Sequence, residues 1–284
     1  MSQLAREEYI EQAYLFSALA DRLKTNEPVQ VLLDHIKQEL LATTKLPMAV
    51  DYLLAELNHS GSMAEAMHRL PHYFTPFQTY LIGQSEDDRG RIDIYSVLAI
   101  LKFEATFRAE GASPVSLFLF QLEVLCRNRL GYDEGLRAMA GDPFYPEQWR
   151  TWMMDARRKI GFVDVADLIY VHSEHYVNKA GANSNAEAPP SILFGEKEGR
   201  IALANRRKDP LFLFAALQRQ LNYPKVPRPE RADPNKDLVP RLVKTVEQLK
   251  VRMKLLEDEQ RDSGINLQQF YGNNRPRAGP KSPQ

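Results

Sequence analysis

Histidines occur twice at spacings that could place two imidazoles on one helix face. His68 and His72 are four residues apart, and His172 and His175 are three apart. Such pairs hold metals only together with further ligands. A proline lies inside the first pair, and beside the second only Glu174 offers another ligand. We therefore predict no metal site and no cofactor.

The acidic run Glu86–Asp88 and the single cysteine, Cys126, are the next groups that could do chemistry. The run lacks the alternating oxygen ligands of a calcium loop, so we interpret it as a solvated turn. Cys126 follows Leu122–Leu125 on a helix face, which favours a small buried side chain over a nucleophile. The sequence contains no phosphate-binding loop, dinucleotide-binding glycine motif or nucleophile elbow. We predict that the protein is not an enzyme.

Basic and acidic residues are equal in number, at 37 each, but unevenly distributed. Residues 196–284 hold 19 basic and 11 acidic residues, and residues 1–195 hold 18 and 26. The basic part could attract the acidic part, face an acidic partner, or form solvated helix faces. Arg206–Lys208, with Phe212, Phe214 and Tyr223 nearby, makes nucleic-acid binding the alternative function. A basic turn before a helix explains the same residues.

The sequence shows no sign of a membrane segment. The longest apolar-looking stretches, 95–107 and 114–126, contain charged residues and fall short of the roughly 20 apolar residues that a membrane helix needs. The first eight residues lack the apolar region of a signal peptide. We expect a cytoplasmic protein without membrane insertion.

Apolar residues recur at helical spacing through the first 177 residues, without strand-like alternation. The pattern predicts an all-α fold with helices at Tyr9–Leu23, Glu27–Leu41, Leu46–Leu57, Met63–Arg69, Pro76–Ile82, Asp93–Arg108, Pro114–Arg127, Asp133–Ala140, Pro146–Lys159 and Val163–Val177. Trp149 and Trp152 share one face of the ninth helix. They either pack in the core or form an exposed aromatic patch for a partner.

Composition changes mark the boundaries beyond these helices. Residues 178–191 are small and polar and predict a flexible linker. Ile192–Phe194 and Arg200–Leu203 flank a glycine-containing turn, which predicts a short β-hairpin. A helix, Leu211–Leu221, follows. Residues 224–237 are rich in proline and predict a second linker.

The last predicted helix, 238–262, carries six apolar residues at alternating spacings of three and four. They form a coiled-coil seam of about two and a half heptads. Five of them are predicted to bind a partner: Leu242, Val246, Leu249, Met253 and Leu256. The partner is a second copy or another protein, and packing of this helix on its own domain is the alternative.

Two segments of the helical part share a pattern. Residues 15–29 and 118–132 each carry an aromatic residue near the start, then leucines at helical spacing, then a polar break before a second helix. The first segment resembles the opening helix of the cytoplasmic helical domain of the type II secretion system F family, through Phe16, Leu19, Ala20, Leu23 and Pro28. That family includes the inner-membrane platform proteins of type II secretion and type IV pili.

Later residues extend the resemblance. Gly61–Met67 and Pro71–Pro76 are similar to the family's small-residue turn and its proline-flanked aromatic segment. Glu86–Ile92 corresponds to its acidic turn with one extra residue, and Arg158–Asp164 occupies that place in a degenerate second copy. Family members carry membrane helices after each domain, which this sequence lacks. The resemblance therefore implies a compact helical bundle for protein contacts, and no membrane platform.

These observations predict the following order: a helical bundle at 1–110, its degenerate copy at 111–177, a flexible linker at 178–191, a β-hairpin plus helix at 192–223, a Pro-rich linker at 224–237, an amphipathic or coiled-coil helix at 238–262, and a mostly disordered tail at 263–284. The predicted function is that of a non-catalytic protein–protein interaction or scaffold protein. Association with a secretion or pilus-type assembly is what the resemblance adds.

Overall fold

The computed structural model describes residues 3–25, 27–87, 92–181 and 191–227, together with Met253. This part contains thirteen α-helices: α1 (Arg6–Arg22), α2 (Val29–Lys37), α3 (Leu46–Ser60), α4 (Met63–His68), α5 (Pro76–Glu86), α6 (Ile94–Ala109), α7 (Pro114–Arg127), α8 (Tyr132–Ala140), α9 (Glu147–Lys159), α10 (Val165–Val171), α11 (Glu174–Gly181), α12 (Glu196–Ala204) and α13 (Pro210–Leu221). The described residues form no strand, and two isolated bridges join Ile160 to Val163 and Ser173 to Phe194. The predicted all-α class is confirmed.

Hydroxyl groups and prolines begin two of the helices at the predicted places. The Ser113 hydroxyl accepts a hydrogen bond from the backbone N–H of Ser116, and the Ser116 hydroxyl accepts one from Ser113. Pro114 stands in the first turn of α7, where a missing N–H costs nothing. Thr75 begins α5 in the same way. Such local signals explain why α7 has the bounds that the sequence predicts.

The predicted β-hairpin at residues 192–203 is wrong. Phe194 makes one bridge to Ser173, and the chain then enters the helix α12. The backbone N–H of Glu196 donates to Glu174 Oε2 at 3.1 Å, so a carboxylate from another helix caps the start of α12. Acidic residues in its first turn also suit a helix N-terminus. A sequence pattern confined to residues 192–203 does not contain this cap.

The helix predicted at 163–177 is divided into α10 and α11, because the chain bends at His172. The backbone N–H groups of Leu193 and Phe194 both donate to the His172 carbonyl oxygen, at 2.9 and 3.1 Å. Two residues that lie 21 and 22 positions away in sequence therefore take up the backbone acceptor at this bend. The distant pairing overrides the continuous helical period of the sequence.

Carboxylates distant in sequence also fix the starts of α3 and α4. Glu8 Oε1 accepts a hydrogen bond from the backbone N–H of Lys45 at 2.8 Å. Glu86 accepts from the backbone N–H groups of Met63 and Ala64, at 2.6 and 3.1 Å. Glu86 is exposed, as the predicted solvated turn requires, but it ends α5 instead of lying in a turn, and its carboxylate caps another helix.

The helix α7 lies deepest in the core. Residues 116–125, ten in succession, are buried. Buried apolar side chains from Leu15 to Val226 form one hydrophobic cluster. A helix buried on all sides must satisfy its polar side chains internally. Gln121 and Glu123 meet this requirement through hydrogen bonds to side chains from other elements.

The C-terminal predictions fall largely beyond the described residues. Of the five predicted partner-binding residues, Met253 is helical and 62% exposed. Leu242, Val246, Leu249 and Leu256 lie outside the described part, as do residues 182–190 of the first predicted linker. α11 includes residues 178–181 of that linker. Among the described helices, none has the length and apolar character required to cross a membrane.

Candidate functional site

Three charged side chains are enclosed between α6 and the loop that follows α8. Glu104 and Arg108 are one turn apart on α6, and Asp142 lies in the loop. Arg108 Nη2 donates to Glu104 Oε1 at 2.7 Å and also to Asp142 Oδ2. The three side chains are at most 1% exposed. We call them the buried ionic cluster.

Neutral polar groups complete the cluster. Gln121 Nε2 donates to Glu104 Oε1 at 2.9 Å, and the Tyr145 hydroxyl donates to Gln121 Oε1 at 2.7 Å. The Arg108 guanidinium lies 5.3 Å from the centre of the Phe144 ring. Burial raises the pKa of Glu104, and it also raises the pKa of Tyr145.

The buried ionic cluster is enclosed rather than open to a ligand. Glu104 Oε2 and Arg108 Nη1 make no hydrogen bond within the described residues. Two carboxylates share one guanidinium there, and this arrangement is costly to disturb because each charge is desolvated. We assign the cluster to stability, and the candidate site lies elsewhere.

An open groove of about 420 Å³ runs between α9 and α10, and we call it the α9–α10 groove. Its lining residues are Glu147, Gln148, Thr151, Trp152, Asp155, Ala156, Lys159, Leu168, Val171, His172 and Ser191. Trp152, Ala156, Leu168 and Val171 give it an apolar wall. The charged side chains all come from α9.

Trp152 is held firmly in the wall of the groove by other rings. Its ring centre lies 5.0 Å from that of Phe118, 5.7 Å from Trp149, 5.4 Å from Phe194 and 5.7 Å from His172. Trp149 and Trp152 are both buried. The core-packing interpretation of this pair is therefore confirmed, although Trp152 also contributes to the groove.

His172 presents a defined hydrogen-bond acceptor at the groove. Its Nδ1 lies 3.0 Å from the carbonyl oxygen of Ser191. A carbonyl can only accept, so Nδ1 carries the proton in the neutral ring and Nε2 carries the lone pair. Burial lowers the pKa of His172, which favours this neutral form. Nε2 makes no hydrogen bond among the residues that the structure describes.

Phe162 lies three residues after Lys159, the last residue of α9 that lines the groove, and is 93% exposed. The backbone N–H groups of Phe162 and Val163 both donate to the Lys159 carbonyl oxygen at 3.0 Å, which closes a tight turn after α9. Gly161 adopts a φ of 102° in this turn, a backbone conformation in which any residue with a side chain would be strained. The turn thus presents an aromatic ring to solvent in a fixed position.

The charges along α9 change sign from one end of the groove to the other. Glu147 begins the helix, is 83% exposed and makes a loose pair with Arg150 at 3.9 Å. Lys159 ends the helix, preceded by exposed Arg158, and Asp155 lies one turn before Lys159. Within the described part, Arg158 and Lys159 form no ion pair. An arrangement of this kind distinguishes the two directions in which a charged ligand can lie.

The other residues that sequence chemistry singled out are dispersed. His68 ends α4, and His72 lies in the exposed turn beyond it. His175 Nδ1 lies 2.7 Å from Glu196 Oε1. Cys126 is half-buried near the end of α7. Across the described ranges, no three metal-binding side chains come together.

The aromatic residues near the basic turn do not form a stacking platform in the described part. Phe214 and Tyr223 are each 1% exposed, and Phe212 is exposed. Arg206 pairs with Asp167 and lies over the ring of Tyr170. Of the predicted nucleic-acid features, the described residues thus bring Phe212 to the surface, beside the exposed Arg206–Lys208 turn.

The α9–α10 groove and the exposed ring of Phe162 were not predicted from the sequence. The available signal was a phenylalanine directly after a glycine, between two amphipathic helices. No family model matches this chain, and no curated protein and no solved structure matches it.

Proposed function

We propose that this chain is a non-catalytic, cytoplasmic interaction protein that docks a protein partner on the α9–α10 groove. The exposed Phe162 ring is the observation that carries the proposal. Large aromatic side chains dominate the binding energy of protein interfaces. Covering a fully exposed phenylalanine is worth about 1.5–3 kcal/mol.

Rigidity of the site supports this function. The two hydrogen bonds to the Lys159 carbonyl fix the turn that carries Phe162. Four neighbouring rings fix Trp152 at the wall. Binding surfaces that are ordered beforehand lose less conformational entropy when a partner arrives. The groove therefore suits recognition, and the buried ionic cluster suits stability.

The C-terminal seam supplies the second contact of the proposed scaffold. Its apolar residues, Leu242 to Leu256, have the spacing of a coiled coil. We include self-association through this seam in the proposal. Association with a secretion or pilus-type assembly rests on the resemblance of Phe16 to Pro28, and of the later turns, to the type II secretion F family.

Nucleic-acid binding remains the second candidate because one groove is basic. Arg127, Arg219 and Lys225 line a groove of about 500 Å³ near the end of α13. Glu123, which pairs with Arg127, is the one carboxylate among its lining residues. Binding there would weaken steeply with salt, since phosphate contacts release counterions.

Site-specific photocrosslinking tests the proposed function. A benzoylphenylalanine at position 162 of the full chain, irradiated in a homogenate of the source cells, should form discrete protein adducts that survive nuclease treatment. The same group at Met48, which is 75% exposed on α3, is the matched control. An excess of unlabelled wild-type protein should suppress the adducts.

The competitor decides between specific and incidental adducts. A Phe162→Ser/Val171→Glu variant, altered at two exposed positions of the site, should fail to suppress them. The proposal is overturned if positions 162 and 48 give the same adducts or if both competitors suppress equally. Adducts that consist of nucleic acid would favour the second candidate.

A further inference from the structure

We infer that the α9–α10 groove takes an amphipathic α-helix of the partner, oriented antiparallel to α9 and acidic in its first turn. This inference rests on the proposed function and specifies what the groove recognises. Three features of the groove carry it: its length, its wall and the order of its charges.

The length of the groove matches a short helix. Its α9 side extends from Glu147 to Lys159. At about 1.5 Å per residue this distance is about 18 Å, or somewhat more than three helical turns. A ligand helix of this length offers three or four apolar side chains on one face, spaced by three or four residues.

The wall suits an apolar helix face with one polar position. Trp152 and Leu168 provide large apolar surfaces, and Ala156 leaves room for a neighbouring side chain. His172 lines the groove and its Nε2 has no hydrogen-bond partner among the described residues, so an N–H or O–H donor beside the apolar residues of a bound helix suits this position. Phe162, three residues beyond Lys159 and outside the groove lining, adds an exposed anchor.

The charges fix the direction of the bound helix. An α-helix carries partial positive charge at its N-terminus and favours acidic residues there, and it favours basic residues in its last turn. An acidic first turn fits beside Lys159 and Arg158, and a basic last turn fits beside Glu147. Both conditions hold together when the ligand runs antiparallel to α9.

The opposite wall does not disturb this order. The two carboxylates of the α10 region are already engaged, because Asp167 pairs with Arg206 and Asp164 accepts the backbone N–H groups of Ala166 and Arg207. The residues that this region contributes to the groove are Leu168, Val171 and His172. The direction of the ligand therefore depends on α9.

A displayed peptide library provides the probe. The library holds helical peptides of about 13 residues, the length that spans the groove, with apolar residues fixed on one face and the first and last turns randomised. Selected on the immobilised full-length protein, it should enrich acidic first turns and basic last turns. Binding should fall about tenfold or more on the Phe162→Ser/Val171→Glu variant, equivalent to about 1.4 kcal/mol.

Charge reversal tests the orientation directly. An Arg158→Glu/Lys159→Glu variant, whose two changed positions are exposed, should select basic first turns instead. Unchanged circular dichroism and melting temperature establish that each variant is folded. Gln220→Glu on α13, an exposed charge change outside the groove lining, should leave the selected sequences unchanged.

The outcomes separate this inference from the proposed function. If peptides bind through the groove without a charge preference, or with one that reversal leaves unchanged, the inference is overturned and the proposed function stands. If crosslinks form at position 162 but no peptide depends on the groove, a helical ligand is again excluded. Absence of both crosslinks and groove-dependent peptides overturns the two together.

Discussion

The buried ionic cluster and the α9–α10 groove use charged side chains in opposite ways. In the cluster, Arg108 is shared by Glu104 and Asp142, and the three side chains are at most 1% exposed. Lys159, which lines the groove, and its neighbour Arg158 are exposed and form no ion pair within the described residues. The charges of the cluster are therefore paired within the fold and costly to remove one at a time, while the charges beside the groove remain open to solvent.

The same contrast holds for aromatic rings. The ring of Phe194 is packed among Phe118, Trp149 and Trp152. Phe162, on the turn that ends α9, is 93% exposed. Where a ring is surrounded, its loss should change stability, and where it is exposed, its loss should change binding. The following predictions test this division.

The largest effect is expected from Arg108→Met. It leaves Glu104 and Asp142 buried beside each other without a counter-charge, which should lower the free energy of unfolding by about 3–5 kcal/mol. Arg137→Met is the matched control, because Arg137 and Asp133 form the same four-residue pair on α8 with each side chain 60% exposed.

Urea unfolding of the two arginine variants measures the difference. The Arg137 change should cost at most about 0.5 kcal/mol, as exposed pairs do. If the two variants lost equal stability, the buried ionic cluster would have no special role and the comparison would break down.

The second effect concerns the backbone that supports one side of the groove. A Cβ at Gly199 of α12 would clash with Ser173 Oγ and lie 2.8 Å from His175 Cβ, next to the bend at His172. Gly199→Ala should therefore destabilise the protein by about 1–3 kcal/mol, since the helix must move away.

Gly83→Ala in α5 is the control for this close approach. Its Cβ would meet Ala64 Cβ at 3.6 Å, which is an ordinary contact. Alanine favours a helix over glycine by up to about 1 kcal/mol, so this change should raise the midpoint of urea unfolding. A loss of stability at both positions would point to a helix effect rather than to crowding at Ser173.

The third effect is a pH dependence within the buried ionic cluster. Burial raises the pKa of Glu104, although Arg108 opposes the shift and Asp142 adds to it. The folded state then holds a proton more tightly than the unfolded chain. The stability that this bound proton contributes is fully present below the ordinary carboxyl pKa, and it is lost as the pH rises through the raised pKa of Glu104.

Glu104→Gln should remove this dependence. An amide oxygen can still accept from Arg108 and Gln121, and the side chain no longer titrates. Relative to wild type, the variant should gain stability as pH rises from 4.5, by about 1.4 kcal/mol for each unit of the shift. Urea unfolding at a series of pH values provides the check, and parallel pH profiles would contradict the raised pKa of Glu104.

Much of the helical fold follows from local sequence. The Ser113–Pro114 start gives α7 its predicted bounds, because cap and proline are neighbours in the chain. The start of α12 could not be predicted in this way, since its cap is Glu174. The division between α10 and α11 likewise depends on residues that are distant in sequence, namely 193 and 194.

The candidate site was harder to predict than the fold. The groove consists of side chains from two helices and Ser191, and a helical period does not specify which faces of two helices remain apart. The buried ionic cluster has the same origin, because Arg108 and Asp142 are 34 residues apart. The exposure of Phe162 depends on the turn geometry at Gly161. A pattern of apolar residues does not contain this geometry, so it would assign Phe162 to the core.

The smallest change in stability should come from Phe162→Ser. A small change there would distinguish the exposed ring from the buried rings of the core. A ring that is 93% exposed loses almost no packing, so the free energy of unfolding should stay within about 0.5 kcal/mol of wild type. Phe194→Ala removes a ring that is 1% exposed and should cost about 3–5 kcal/mol. Urea unfolding of both variants measures the two losses in the free energy of unfolding. A loss above about 1 kcal/mol for Phe162→Ser would mean that another part of the chain covers the ring, and the groove would then lose its anchor for a partner. A Phe162→Ser variant that keeps its stability but no longer suppresses the adducts formed from position 162 would assign the ring to recognition, because folding alone gives no reason to keep it exposed.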